Sequence, residues 1–261
     1  MNGRILIIAG SDPSGGAGIQ ADIKTVTALG GYAMTAITAV TVQNTLGVSA
    51  VHQVPPEIIA GQIEAVLDDI GADVIKVGMI GDIATAEIIH QALTAHPDIP
   101  VVLDPVLVAT SGDDLADGSV ADFLRDRLLP LASVVTPNRP EAARLTGAPI
   151  ESVDAARAAA RAMCELGAKA VLLKGGHATG KTVEDLLVWD GGEELFASTR
   201  LDTPNTHGTG CTLASALATS LAQGMEIEPA TRAALNYVHE AIRTAPGFGK
   251  GHGPLNHCHP L

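Results

Sequence analysis

Short apolar runs alternate with amphipathic stretches along most of the chain. Apolar runs rich in β-branched residues predict buried strands at 4–9, 35–42, 50–54, 74–77, 101–103, 133–135 and 170–173. Apolar residues that recur every three to four positions predict helices at 19–29, 56–70, 82–95, 119–129, 139–145, 153–166 and 229–243, and one that begins near Gly210. This alternation predicts an α/β fold with a mostly parallel central sheet and helices on both faces.

One stretch departs from the alternation of strand and helix. Residues 183–188 and 195–200 both favour strands, and Asp190-Gly191-Gly192 between them favours a tight turn. Neighbouring strands joined by a short turn run antiparallel. The sequence therefore predicts a small antiparallel edge on the otherwise parallel sheet.

Composition narrows the classes of protein. A chain of 261 residues with 46% hydrophobic content can bury a large core, and we expect one domain over residues 1–261. A formal net charge of -13 argues against nucleic acid or an anionic membrane as a partner. The three cysteines are widely spaced and fit neither a disulfide framework nor a Cys-x-x-Cys metal site. Apolar runs stay shorter than the roughly 18 residues of a membrane span, so we expect a cytoplasmic protein.

Polar residues and glycines follow several predicted strands, where ligands of parallel sheets bind. Gly10, Met79, Asp104, Asn138 and Lys174 all occupy such positions. A carboxylate, an amide and a lysine at one rim suit phosphoryl transfer. Each has a structural alternative, because Asp104 before a proline can form a turn, Asn138 can cap a helix, and Lys174 can be a solvated charge.

Gly208-Thr209-Gly210-Cys211 directly precedes or opens a predicted helix. Glycines allow a tight turn, and the unpaired amides of a first helical turn carry partial positive charge, so this segment predicts an anion-binding cradle. The same helix dipole would favour the thiolate of Cys211, which could then accept a proton. The structural alternative is a glycine-capped helix with a packed cysteine.

The segment from Gly175 to Thr182 satisfies the phosphate-binding pattern G-x-x-x-x-G-K-[ST]. Its context does not fit, because a phosphate-binding loop must open a helix and the next residues instead favour the hairpin. We therefore do not interpret it as a P-loop, and the role of the loop at residues 179–182 stays open.

Eight motifs in order closely resemble the hydroxymethylpyrimidine/phosphomethylpyrimidine kinases of thiamine biosynthesis, which belong to the ribokinase-like superfamily. They are AGSDPSGGAGIQADIKT at 9–25, TVQNT at 41–45, KVGM at 76–79, DPV at 104–106, TPNRPEA at 136–142, LKGGH at 173–177, NTHGTGCT at 205–212 and GHGPLNH at 251–257. The resemblance covers essentially the whole chain. It implies a ribokinase-like three-layer α/β/α fold and the transfer of phosphate from ATP with Mg²⁺ as cofactor.

The resemblance also implies roles for individual residues, which we state as expectations. Gly10, Asp22, Gln43, Met79 and Val106 would line an aminopyrimidine pocket, in which the Gln43 amide can donate and accept at once. Asp104 and Glu141 would organise Mg²⁺, while Asn138, Lys174, Thr206 and Gly208 would hold the nucleotide. Gly208, Thr209 and Gly210 would form the anion hole beside Cys211 as base, with Lys174 assisting.

Two other functions stay open at this point. A pyridoxal or pyridoxine kinase of the same fold also acts on a flat heteroaromatic ring with a hydroxymethyl arm. A non-catalytic pyrimidine sensor would bind without releasing ADP. Relatives of this kind are often dimers, so we expect a homodimer.

Overall fold

The computed structural model describes residues 1–107, 118–176 and 180–259, and one sheet runs through this part of the chain. Its strands are β1 (Arg4–Ser11), β2 (Tyr32–Asn44), β3 (Gly47–Gln53), β4 (Val74–Val77), β5 (Val101–Leu103), β6 (Val134–Val135), β7 (Ala170–Leu173), β8 (Thr182–Trp189) and β9 (Gly192–Thr199). They lie in the order β3-β2-β1-β4-β5-β6-β7-β8-β9. The six neighbouring strands β2, β1, β4, β5, β6 and β7 pair in parallel, as the sequence predicts.

The helices of the described chain pack on both faces of the sheet. They are α1 (Gly18–Ala28), α2 (Pro56–Asp69), α3 (Ile83–Ala95), α4 (Gly118–Phe123), α5 (Arg139–Thr146), α6 (Val153–Glu165), α7 (Thr209–Ala222) and α8 (Ile227–Arg243). One apolar core joins the sheet to the layer of α2 to α6, and a second joins it to α1, α7 and α8. The three-layer α/β/α prediction is therefore confirmed. No helix within the described ranges has the length and apolar character needed to cross a membrane.

Strand β1 shows how the alternation of side chains divides the two cores. Leu6 and Ile8 belong to the first core, whereas Ile5 and Ile7 belong to the second. All four are completely buried, because each face of a parallel sheet is covered by helices.

The sheet has antiparallel strands at both edges, whereas the sequence predicts only one such edge. The hairpin of β8 and β9 is confirmed. At the other edge, β2 continues two residues beyond its predicted end and turns back into β3. Asn44 enables this turn, since its side-chain oxygen accepts a hydrogen bond from the Leu46 amide at 2.8 Å.

The helix predicted at 119–129 is only partly regular. Helix α4 continues as a π-helical turn (Leu124–Leu128) and a 3₁₀ turn (Leu129–Leu131). The amide of Leu129 donates to the carbonyl of Leu124, five residues earlier. The cause is Pro130, whose ring cannot fit against the carbonyl four residues before it in an α-helix.

The P-loop-like segment does not open a helix. Strand β8 follows it and runs antiparallel to β7, so the prediction that the segment is not a P-loop is confirmed. Residues 177–179 of this segment lie outside the described residues.

The order of the strands places the site. From β1 the chain moves first to β2 on one side and later to β4 on the other. Such a switch point leaves a crevice at the carboxyl ends of the strands, and the cavity described next lies at those ends.

Candidate active site

A cavity of about 1150 Å³ lies at the carboxyl ends of the parallel strands. The sequence-predicted site residues that line it are Gly10, Gln43, Met79, Asp104, Val106, Asn138, Glu141, Lys174, Thr206, Gly208, Thr209, Gly210 and Cys211. Asp22 does not line it. Gly10, Met79, Asp104, Asn138 and Lys174 all line the cavity, so the prediction that strand-end residues converge on one rim is confirmed.

The loop before α7 is shaped by Gly208, which has a φ of +81° at the helix N-cap. Any side chain there would overlap the carbonyl oxygen of Gly16, in the loop between β1 and α1. Gly208 thus permits both the left-handed turn and close approach of two loops.

The first turn of α7 presents free amides to the cavity. The carbonyl of Thr206 accepts hydrogen bonds from the amide and hydroxyl of Thr209, at 3.3 and 2.7 Å. The amides of Gly210 and Cys211 have no acceptor among the described residues. Two unpaired N–H groups at the positive end of a helix can bind an anion such as a phosphate.

Lys174 and Asp104 face these amides as an ion pair. The Lys174 Nζ donates to Asp104 Oδ1 at 2.9 Å, and the Thr136 hydroxyl donates to the same oxygen at 2.9 Å. Burial would raise the pKa of Asp104, but the ammonium groups of Lys174 and Lys76 outweigh it, and the pKa is lowered. Asp104 is therefore a carboxylate, and it is almost completely buried rather than an exposed rim residue.

Glu141 and Asn138 form the capping box of α5. The side-chain oxygen of Asn138 accepts a hydrogen bond from the backbone amide of Glu141 at 2.9 Å. In return, the Glu141 carboxyl accepts one from the backbone amide of Asn138 at 2.8 Å. Burial raises the pKa of Glu141 to about 7, although Lys174, 4.0 Å away, opposes this. The capping alternative for Asn138 is thus observed, and its side chain also lines the cavity.

Cys211 lies in the first turn of α7, but its thiol does not behave as the sequence predicts. Burial raises its pKa to about 11, although Lys76 and a hydrogen bond from the Gly18 amide favour the thiolate. The helix dipole therefore does not produce a thiolate at neutral pH, because loss of solvation is the larger effect.

Another part of the cavity suits a flat ring. Gly10, Gln43, Met79 and Val106 line it, and a side chain on Gly10 would press against the Met79 sulfur at 3.0 Å. Thioether sulfur makes favourable contacts with aromatic rings. The Thr41 hydroxyl lies 3.1 Å from the amide oxygen of Gln43, which helps to fix that amide.

Asp22 is placed differently from the prediction. It is completely buried, and it accepts hydrogen bonds from Lys76 Nζ at 2.9 Å and from the Ser215 hydroxyl at 2.7 Å. Its side chain therefore joins α1 to β4 and α7 behind the cavity. Burial lowers the pKa of Lys76, but the charges of Asp22 and Asp104 outweigh this effect and raise it, so Lys76 is an ammonium ion.

Because Lys76 and Asp22 form a buried ion pair, we expect substitutions at the two positions to have strongly non-additive effects on the free energy of unfolding. Lys76→Met should lower the free energy of unfolding by about 3–5 kcal/mol, because the buried Asp22 carboxyl, whose pKa burial already raises, loses its counter-ion. Adding Asp22→Asn should restore most of that loss, which urea unfolding of both single variants and the double variant would measure. Lys76→Met combined with Asp73→Asn is the control, since Asp73 pairs with Arg4 at the surface and should act additively. Additive losses for Lys76 and Asp22 would contradict the coupling.

Several polar residues in or next to the cavity were not predicted from the sequence, and three of them have notable contacts or surroundings. Asp185 lines the cavity and accepts a hydrogen bond from the Gly175 amide at 2.8 Å. Lys76 is a charge within a strand buried on both faces, and that mismatch could have drawn attention to it. His207 also lines the cavity, and its Nε2 lies 2.8 Å from the carboxylate of Asp12.

The far end of the cavity is mainly apolar. Its walls are supplied by strand β9, by helix α8 and by Leu201 beyond the end of β9; the apolar residues are Leu195, Phe196, Leu201, Leu235, Val238 and Ile242. Arg232 covers the Phe196 ring with its guanidinium, 5.0 Å from the ring centroid. An apolar slot beside an anion-binding helix terminus is the arrangement that a nucleotide base and its phosphates require.

Comparison with known proteins yields one family. A family model described as phosphomethylpyrimidine kinase matches residues 12–256. The chain is 45% identical over 254 residues to a hydroxymethylpyrimidine/phosphomethylpyrimidine kinase of Streptomyces coelicolor, covering 97% of this chain and 93% of the relative. It is 50% identical over 255 residues to a thiamine biosynthesis bifunctional protein ThiED of Geobacter sulfurreducens, covering 98% of this chain but only 52% of the relative. The chain thus spans about half the length of that relative.

A solved structure has the same fold and contains a nucleotide. The crystal structure of an ADP complex of Bacillus subtilis pyridoxal kinase superposes with a TM-score of 0.92 and 35% identity, and the match covers 98% of both chains. The ribokinase-like fold predicted from the motifs is therefore confirmed.

Proposed function

This chain belongs to the phosphomethylpyrimidine kinase family, and from that premise we propose that it phosphorylates 4-amino-5-hydroxymethyl-2-methylpyrimidine. The γ-phosphoryl group of ATP is transferred first to the hydroxymethyl oxygen and then to the resulting monophosphate, in thiamine biosynthesis. One observation carries the proposal. A single cavity joins a heterocycle pocket with a fixed carboxamide to an anion hole flanked by Lys174 and Asp104.

The heterocycle end supports an aminopyrimidine. The Gln43 carboxamide can donate to a ring nitrogen and accept from an exocyclic amino group, which matches the edge of this substrate. Gly10, Met79 and Val106 give the ring an apolar place to lie. In this pose the hydroxymethyl arm points to the first turn of α7.

The phosphate end supports the transfer step. Negative charge spreads over the phosphoryl oxygens in the transition state, and preorganised donors there lower the barrier. The amides of Gly210 and Cys211 and the Lys174 ammonium supply such donors. We propose that Cys211, beside them, accepts the proton that the hydroxyl loses, in the fraction of the protein whose thiol is ionised.

We further propose Mg²⁺ as the cofactor of this site. Asp104 Oδ2 has no hydrogen-bond partner among the described residues, since Thr136 and Lys174 both use Oδ1. Glu141 lines the same cavity, and carboxylate oxygens are the ligands that Mg²⁺ prefers. Asp104, with Glu141, would hold the ion, which when bound neutralises charge on the phosphates of ATP.

A pyridoxal kinase is the second candidate function, favoured by the close superposition on the Bacillus subtilis enzyme. A coupled assay of ADP release with the pyrimidine, its monophosphate and pyridoxal as substrates tests both functions. We expect kcat/KM to be higher for the pyrimidine and its monophosphate than for pyridoxal. Binding of the pyrimidine without ADP release would contradict both enzymes and favour a sensor.

In the same assay, the variant Gln43→Leu tests whether Gln43 recognises the aminopyrimidine. Loss of the carboxamide leaves polar groups of the bound ring unpaired, and each such loss costs about 1–3 kcal/mol. We expect kcat/KM for the pyrimidine to fall by about 5- to 100-fold, and by less for pyridoxal, whose ring presents a different edge. Equal losses for the two substrates would show that Gln43 shapes the pocket but does not recognise the aminopyrimidine.

We propose that the chain forms a homodimer and works in the cytoplasm. Val40 and Val42 are exposed on one face of the β2–β3 hairpin, opposite His52 and Ala50 on β3. An exposed apolar face on an edge hairpin favours pairing with a second copy. Sedimentation velocity should therefore give twice the chain mass.

The cysteines support the proposed cytoplasmic location. The three cysteines are all unpaired thiols, as a reducing compartment maintains them.

A further inference from the structure

A buried pair of side chains joins two loops of the site. Asp12 lies in the loop between β1 and α1, and His207 lies directly before the anion hole. His207 Nε2 is 2.8 Å from Asp12 Oδ2, and both side chains are more than nine-tenths buried. Because an ionised carboxylate can only accept, Nε2 carries the hydrogen of this bond.

The Asp12 carboxylate also organises its own loop. It accepts hydrogen bonds from the amide of Ser14 at 2.8 Å, the hydroxyl of Ser14 at 2.9 Å and the amide of Ala17 at 2.9 Å. Burial would raise the pKa of Asp12, but these bonds and that of His207 lower it to about 2. Asp12 is therefore a carboxylate at every working pH, and its ability to accept these hydrogen bonds does not change with pH in that range.

The loop that Asp12 organises touches both halves of the cavity. A side chain on Gly18 would overlap the carbonyl oxygen of Gly10, in the heterocycle pocket. The Gly18 amide also donates to Cys211, at the phosphate end. Gly16 in turn fits against both the His207 ring and Gly208, with no room for a side chain. This loop therefore lies between the heterocycle pocket and the anion hole.

The opposite side of His207 is held by the C-terminal segment. The His207 amide donates to the carbonyl of Gly253 at 3.1 Å, and His207 forms a bridge with Pro254. The backbone of His207 therefore cannot move away from Asp12 without breaking these contacts as well.

We propose that Asp12 and His207 are positioning residues, which set the distance between the heterocycle pocket and the anion hole; this rests on the proposed function. A buried polar pair contributes little net stability as a whole, and the Asp12 carboxylate keeps three other hydrogen bonds when His207 is replaced. A displacement of about 1 Å between reacting groups, by contrast, can cost about 100-fold in rate. Removing the hydrogen bond between Asp12 and His207 should lower kcat for both phosphorylation steps and leave the KM values nearly unchanged.

His207→Ala and His207→Gln test the proposal. Glutamine places its side-chain nitrogen near the position of Nε2 and can donate to Asp12, whereas alanine has no donor. We expect His207→Ala to lower kcat by about 10- to 100-fold, with KM within about twofold, and His207→Gln to recover most of the loss. ADP titration gives the active fraction of each preparation. Hydrogen exchange of the amides from Gly208 to Cys211, which needs no activity, should be faster in the alanine variant alone.

Thr219→Val is the matched control. It removes a buried hydroxyl of α7 that donates to the carbonyl of Ser215, remote from the cavity. It should lower the melting temperature without changing kcat or exchange at the anion hole. The proposal is overturned if His207→Ala keeps the kcat of this control, if glutamine is no better than alanine, or if His207→Ala does not fold. An unaltered chain that binds ADP but turns over no substrate would contradict the proposed function alone, and the exchange measurement would still decide on the positioning role.

Discussion

Asp104→Asn should lower the kcat of phosphorylation by about 100- to 10,000-fold, because it removes the negative charge proposed to hold Mg²⁺ beside the transferring phosphate. Asparagine has nearly the same shape as aspartate, and its Oδ1 can still accept hydrogen bonds from Lys174 and the Thr136 hydroxyl. What it loses is a carboxylate oxygen free of hydrogen bonds to the described residues. The concentration of Mg²⁺ needed for half-maximal rate should rise in the same variant, which a titration at saturating ATP measures.

Stability has to be measured beside activity in this variant. Asp104 is almost completely buried, so its replacement leaves the Lys174 ammonium without its closest carboxylate. We expect a lower free energy of unfolding in urea, but still a folded protein that binds ADP, because Glu141 remains 4.0 Å from the same ammonium. Asp82→Asn is the control, since Asp82 caps α3 and does not line the cavity. An Asp104→Asn enzyme with near-normal kcat and unchanged Mg²⁺ dependence would remove Asp104 from the metal site.

The location of the site could be predicted from the sequence because parallel strands share one direction. Once strands are recognised, the residues that follow them must meet at one edge, and Asp104, Asn138 and Lys174 do so. The left-handed turn at Gly208 is likewise a local property, encoded by a glycine before a helical pattern.

Placement that depends on several elements at once could not be predicted. Periodicity identifies α1 as a helix, but it does not show that Asp22 faces Lys76 and Ser215 and not the cavity. The pairing of Asp12 with His207 joins residues 195 positions apart and needs the packed loops around it. Strand β3 was only partly predicted, because its side chains are mostly exposed and its apolar pattern is therefore weak.

The protonation of Cys211 shows the same limit. The effect of the helix dipole on a thiol can be read from the sequence, since it needs only the start of a helix. Burial and the charges of Asp22 and Asp104 are tertiary effects, and together they outweigh it.

Cys211→Ala should therefore separate the two phosphorylation steps. A general base is worth about 100- to 10,000-fold, so the variant should lose that factor in kcat for the alcohol substrate if Cys211 accepts its proton. The monophosphate is already ionised near neutral pH and should be much less affected. Substrate KM values should change little, because the amides of the anion hole remain.

The dependence on pH makes the base role testable within the unaltered protein. With the pKa of Cys211 raised to about 11, the thiolate fraction rises about tenfold for each unit of pH through the neutral and mildly alkaline range. The kcat of the alcohol step should rise in proportion, whereas the monophosphate step should stay nearly flat. In Cys211→Ala the rise should disappear. Single-turnover rates of both steps from pH 7 to 10, together with melting temperatures, provide the measurement. A stably folded alanine variant with unchanged alcohol phosphorylation, or with the same rise against pH, would show that Cys211 only packs against its neighbours.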